Sequence, residues 1–167
     1  LEIAAPLLAA EPNNMDYRAQ HAGALRLQAE LLGNRGEWSQ ARDAYERTVR
    51  VLSKMVADEP DNMAHLTSLI SAHIDLAQLE EHVAGPEPRD QHLREVKTLF
   101  PRFRERGLDH PELLGIFSTV CNEAILPAGV CDPELALEAA RRAVVTSGGR
   151  TPSRYSNLIL ALLRLDR

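Results

Sequence analysis

The sequence predicts an all-α chain of antiparallel helix hairpins stacked as a short solenoid. Two observations carry that expectation. Glu11-Pro12-Asn13-Asn14-Met15 returns as Glu59-Pro60-Asp61-Asn62-Met63, a shift of 48 residues (12 to 60), and self-similarity at that period marks stacked units too small to bury a core alone. The composition agrees, because 44% of the 167 residues are hydrophobic and only 4% aromatic, which implies an aliphatic, helical interior. About seven helices are expected, in one domain covering residues 1–167.

Taken in order, residues 1–10 read as the end of a preceding helix, since Leu1, Ile3, Leu7 and Leu8 fall in register with Val49, Val51, Met55 and Val56. The chain is therefore expected to be a piece of a longer protein. Residues 16–57 form the first hairpin. Its first helix places Tyr17, Ala24, Leu25, Ala29, Leu31 and Leu32 mostly at three- and four-residue steps. Gly33-Asn34-Arg35-Gly36 breaks it, and Ser39 is expected to cap the second helix. That helix carries Ala41, Tyr45, Thr48, Val49, Leu52 and Val56 on one stripe and ends at Glu59-Pro60, because the residue before proline avoids the α region.

Residues 63–107 form an irregular second hairpin. Leu66, Leu69, Ile70, Ile74, Ala77 and Leu79 define its first helix, and residues 83–88 read as a long connector. Pro101 lies inside the next helix, among Leu93, Val96, Leu99, Phe100 and Phe103, so a kink or break is expected near Phe100. Residues 111–146 form a third hairpin and residues 152–166 a last helix. Pro111, Pro133 and Pro152 each stand at a first helical position. Leu158, Ile159, Leu160, Leu162, Leu163 and Leu165 make the last helix apolar nearly all round, which invites a further repeat or a second copy.

Gly36-Glu37-Trp38, followed by Ala41, Tyr45 and Thr48, resembles the second half of a tetratricopeptide repeat; Leu114, Phe117, Ser118 and Cys121 with Ala136, Ala140 and Ala143 repeat the pattern. The resemblance implies a right-handed α-solenoid, and the long helices are similar to arrays attached to bacterial signalling proteins such as serine/threonine kinases. It also implies a scaffold that binds a protein or peptide in a groove lined by the first helix of each repeat. The lack of a catalytic constellation makes it non-enzymatic in expectation, and two cysteines without a framework, with no signal peptide, point to a cytoplasmic location. Carried over by position, the groove residues are Arg26, Glu30 and Asn34, then Ser71, Asp75 and Gln78. Thr119, Asn122 and Glu123 follow from the third unit, and Asn157 and Arg164 from the last. Some family members grip a peptide C-terminal carboxylate with a Lys/Asn/Arg clamp. Glu30 stands where that clamp needs an amide, so a peptide or helix of mixed charge is the implied ligand.

Other chemistry finds little purchase. Net charge is −5, the wrong sign for neutralising phosphates, so no nucleic-acid partner is expected. The acids concentrate early: residues 1–83 hold 13 acids against 7 bases (net −6), and residues 84–167 hold 11 against 12 (net +1). No apolar run suits a membrane span. His65, His73, His82 and His92 lack metal-ligand spacing and read as isolated imidazoles. Cys121 and Cys131 form no CxxC, and no phosphate-binding glycine loop or nucleophile motif occurs. No catalytic residue, cofactor or metal is expected. The alternative reading is a regulatory segment of a larger signalling enzyme, or one that self-associates into a homodimer through its terminal helices.

Overall fold

The computed structural model describes residues 11, 13–107, 133–146, 159 and 162. Most of those residues are helical, with no strand among them: α1 is Met15–Asn34, α2 Trp38–Asp58, α3 Met63–Val83, α4 Pro86–Gly107 and α5 Pro133–Thr146. The pattern of contacts divides the chain into two units, Leu1–Val96 and Lys97–Arg167.

In the first unit the 48-residue echo turns out to be a repeated helix cap. Asn14 precedes α1, and its Oδ1 accepts from the backbone N–H of Asp16 (3.1 Å) and Tyr17 (3.2 Å). Asn62 does the same for α3, accepting from Ala64 (3.1 Å) and His65 (3.3 Å). In both copies the remaining amide N–H donates to the glutamate three residues earlier, Asn14 to Glu11 at 3.0 Å and Asn62 to Glu59 at 2.9 Å. Two of the four orphan N–H groups at each helix start are thereby satisfied.

Three-, four- and two-residue connections join α1 to α4 in turn, short enough to make neighbours antiparallel. α1 packs on α2, α2 packs on α3, and α1 also touches α3. Leu25, Met55, Leu66, Ile70 and Leu76 are the large apolar side chains fully buried between them, with Ala29, Ala41 and Thr48 alongside. Thr48 settles its hydroxyl by donating to the Ala44 carbonyl one turn back, at 2.9 Å. Ala41, Leu76 and Leu79 form one cluster, flanked by Leu32, Tyr45 and Val49. An ion pair at 2.6 Å between Arg18, which is buried, and Asp58 ties the start of α1 to the end of α2.

Several local expectations need correction. α2 begins at Trp38 with Glu37 at the cap position and no side-chain cap bond, so Ser39 lies inside the first turn. Gly33 and Asn34 are still helical; only Gly36 takes a positive φ (76°), and its N–H donates to the Gly33 carbonyl at 2.9 Å. Leu31 is exposed, as is Leu27 one turn before it, whereas Leu25 and Ala29 face the core.

The connector after α3 is short as well. Ala84 and Gly85 alone separate α3 from α4, and both donate their N–H to the Glu80 carbonyl at 2.9 Å. Gly85 takes φ 90°, which a side chain would resist. Pro86 and Pro88 belong to the first turn of α4, where a missing N–H costs nothing. Pro101 does not break the helix: α4 runs on to Gly107, and Phe100 is buried. Proline there removes the bond to the Lys97 carbonyl, the same turn at which the two units divide.

In the second unit, α5 starts at Pro133 with Glu134 in its first turn, where a carboxylate complements the helix dipole. Ala136, Ala139, Ala140 and Ala143 form a fully buried stripe, and Glu138 pairs with Arg142 at 2.7 Å on the outside. Ile159 and Leu162 are helical and exposed; the other apolar positions expected in the last helix lie outside the described residues, as do residues 1–10 and the first helix of the expected third hairpin. Among the described residues no helix is long and apolar enough to cross a membrane.

Candidate functional site

The site lies between the two helices that share the cap. α1 and α3 begin 48 residues apart, and a polar position of each meets the other. Arg26 Nε donates to Asp75 Oδ2 at 2.6 Å across the two helices. This bond holds the guanidinium pKa above its ordinary value. Asp75 keeps about a fifth of its side chain exposed and Arg26 about half, so the pair lies at the surface.

Below the pair, a cleft of about 130 Å³ runs between α1 and α3. Ala19, Ala22, Gly23 and Arg26 form one wall, His65 and Ser68 the other, and Thr48, Leu52 and Met55 of α2 form the floor. Small residues at 19, 22 and 23 let the helices leave this gap. Nothing lies within 4 Å of where a Cβ on Gly23 would stand. Tyr45 of α2 sits in the same electrostatic neighbourhood. Burial pushes its phenol up to about 12, aided by the charges of Asp75 and Glu30 and opposed by Arg26.

Of the residues carried over by resemblance, Arg26 and Asp75 are brought into direct contact, and Glu30 acts on Arg26 and Tyr45 through its charge. Asn34 is the exposed last residue of α1, Ser71 is half-buried on α3 and Gln78 is exposed; none of the three lines the cleft. Thr119, Asn122, Glu123, Asn157 and Arg164 lie outside the described residues. Gly23, Ala19, Ala22, Ser68, His65 and Tyr45 were missed. Stepping back from Arg26 by three or four gives Gly23, Ala22 and Ala19, a run of small residues on one helical face, and that signal was available.

A second cleft, about 410 Å³, opens where α2, α3 and the start of α4 meet. Arg42, Glu46, Val49 and Arg50 contribute from α2, Leu76 and Glu80 from α3, and Pro88, Gln91 and His92 from α4, with Ala84 from the turn. Glu80, only 5% exposed, accepts from Arg42 Nη2 at 2.6 Å. Beside it His73 and His92 meet nitrogen to nitrogen, Nδ1 to Nδ1, at 3.3 Å. Two imidazoles that the spacing reads as isolated, at the surface or partly buried, are therefore a pair, and His73 is buried. Among the described residues no three His, Cys, Asp or Glu side chains converge as a metal site would require.

Comparison of the chain with family models, with curated proteins and with solved structures gave no match.

Proposed function

We propose that the chain is a non-enzymatic, tetratricopeptide-like scaffold that receives a peptide segment of mixed charge in the groove between α1 and α3. In this reading those two helices are the first helices of successive solenoid units. One observation carries it: two helices with the same cap, 48 residues apart, pair their polar faces through Arg26 and Asp75 above a cleft of small residues. Such a groove offers a cation and an anion to the ligand, with room for a short apolar side chain between them. Peptide recognition of this kind uses a few pockets for specificity.

A displayed peptide library selected on the purified chain tests the reading. Gly23→Phe blocks the cleft while raising helix propensity, and Arg26→Glu reverses the charge beside it. Selected peptides are expected to weaken about tenfold or more on either variant, a loss of roughly 1.4 kcal/mol. A library that yields no binder, or binders indifferent to both substitutions, refutes the groove.

A further inference from the structure

The His73–His92 contact lies away from the proposed groove and has a property of its own. The two Nδ1 atoms stand 3.3 Å apart, the ring centroids 5.5 Å apart, and the planes are tilted by 40°. The centroids are far apart for so short a nitrogen contact, so the rings meet nearly in line. That is the geometry of one N–H pointing at one lone pair. A metal shared between the nitrogens would need the rings to converge at an angle instead.

Such a contact holds one proton between the rings. The neutral pair satisfies it, with one ring donating and the other accepting. One added proton can also be held, since an imidazolium still donates to a neutral neighbour. A second added proton places N–H against N–H and cation against cation, and the contact must open.

We propose that the His73–His92 pair is an acid-sensitive latch that fastens the first three turns of α4 to α3, and with them one wall of the larger cleft.

The surroundings of the pair set the order of events. His92 faces Glu80 from α3, Glu46 from α2 and Glu95 from its own helix, with Arg42 of α2 opposing them; Arg50 of α2 lines the same cleft. The carboxylates favour a charged His92, and burial outweighs them, holding its pKa below the ordinary 6.5. Burial, with His92 as its charged neighbour among the described residues, pushes His73 down to about 4. The pair therefore takes up its two added protons in separate steps, and the second is the latch-breaking one.

Once α4 has swung away, both rings are solvated and bind protons near 6.5. The released state then holds more protons than the latched state between 6.5 and about 4. Latching is therefore at full strength above 6.5 and is lost as pH falls through that window. Leu93 and Val96, both buried, and the exposed Arg89–Glu81 pair at 3.3 Å resist release. The expected event is local opening, not unfolding.

Hydrogen exchange read by mass spectrometry, corrected for the intrinsic effect of pH, tests the latch on the whole chain. Amides of residues 86–96 are expected to lose protection about tenfold or more, relative to those of α1 and α2, between neutral pH and the lower end of the window. His92→Gln keeps a hydrogen-bonding partner for His73 and removes one titrating ring, so the extra loss should flatten. Imidazole nitrogen shifts of the unsubstituted chain give an independent reading, with the pair titrating in two separate steps. Protection of residues 86–96 that falls in step with α1 and α2, a His92→Gln chain with the full pH response, or two histidines titrating together near 6.5 overturns the proposal.

Discussion

Replacing Arg42 by methionine isolates the buried ion pair that closes the larger cleft. Arg42 Nη2 donates to Glu80 Oε2 at 2.6 Å, and the Glu80 side chain is 5% exposed while that of Arg42 is one-third exposed. Removing one partner of a buried pair costs about 3–5 kcal/mol, because the remaining charge stays desolvated. Two features of the site lower that figure. The exposed third of Arg42 gives water a route to the carboxylate once the guanidinium is gone. Arg42 Nε is also buried with no acceptor among the described residues, a cost of roughly 1–3 kcal/mol that the substitution relieves. The expected loss is therefore about 2 kcal/mol. Arg42→Met combined with Glu80→Leu removes both charges, and should recover to within about 1 kcal/mol of the parent. Urea denaturation followed by fluorescence of Trp38, the single tryptophan, reports on the first unit directly. The reasoning fails if Arg42→Met costs no more than the exposed Arg50→Met, or if the double substitution is as unstable as the single one.

Two further outcomes follow from the same structure. Asn14→Ala and Asn62→Ala should each cost about 1 kcal/mol by freeing the N–H groups that Oδ1 satisfies, and because the two caps share no partner their effects should add within about 0.5 kcal/mol; a double substitution no worse than either single one would falsify the repeated cap. Tyr45 should ionise near 12, not at its ordinary 10, so stability present below 10 is lost as pH rises from 10 through about 12. Tyr45→Phe should abolish that loss. Arg26→Gln should move the ionisation still higher, since Arg26 is the charge that opposes the shift, and an ultraviolet titration showing a fall instead would contradict the placement of the pair.

What the sequence made legible depended on whether the signal was local. The stripes Ala41–Thr48–Leu52 and Ala136–Ala140–Ala143 are buried as their spacing implies, because helical periodicity is a property of one segment. Leu31 departs from expectation because its helix carries leucines on two faces: Leu25, Ala29 and Leu32 meet neighbours, whereas Leu27 and Leu31 are exposed. The composition of residues 83–88 places Pro86 in a loop, whereas Asp132-Pro133-Glu134 marks a helix start. Both begin helices, and only the short turn beyond Val83 distinguishes a proline that opens a helix from one that separates two. Arg26 and Asp75 were reachable by counting through the repeat. Their bond was not, since it depends on how closely α1 approaches α3. His73 and His92 were opaque for the same reason: their contact is set by the register of one helix against another, which no three- or four-residue rule describes.

The echo itself shows a local rule acting on how two helices meet. Glu59 serves two helices at once. Its backbone N–H donates to the Met55 carbonyl at the end of α2 (2.9 Å), its own carbonyl accepts from Asn62 (3.1 Å), and its carboxylate accepts from the Asn62 amide. The residue that stops α2 therefore also holds the residue that starts α3. A chain with one residue inserted between Glu59 and Asn62 keeps both helical sequences and the Asn62 cap of α3 intact and loses this coupling. α3 would still start at Met63 with the same face buried, but Glu59 would no longer hold its start against the end of α2. The approach of α3 to α1 is then expected to loosen, and with it the 2.6 Å bond between Arg26 and Asp75, while both helices persist. The Glu-Pro-x-Asn spacing thus acts on the turn between helices as well as on the cap.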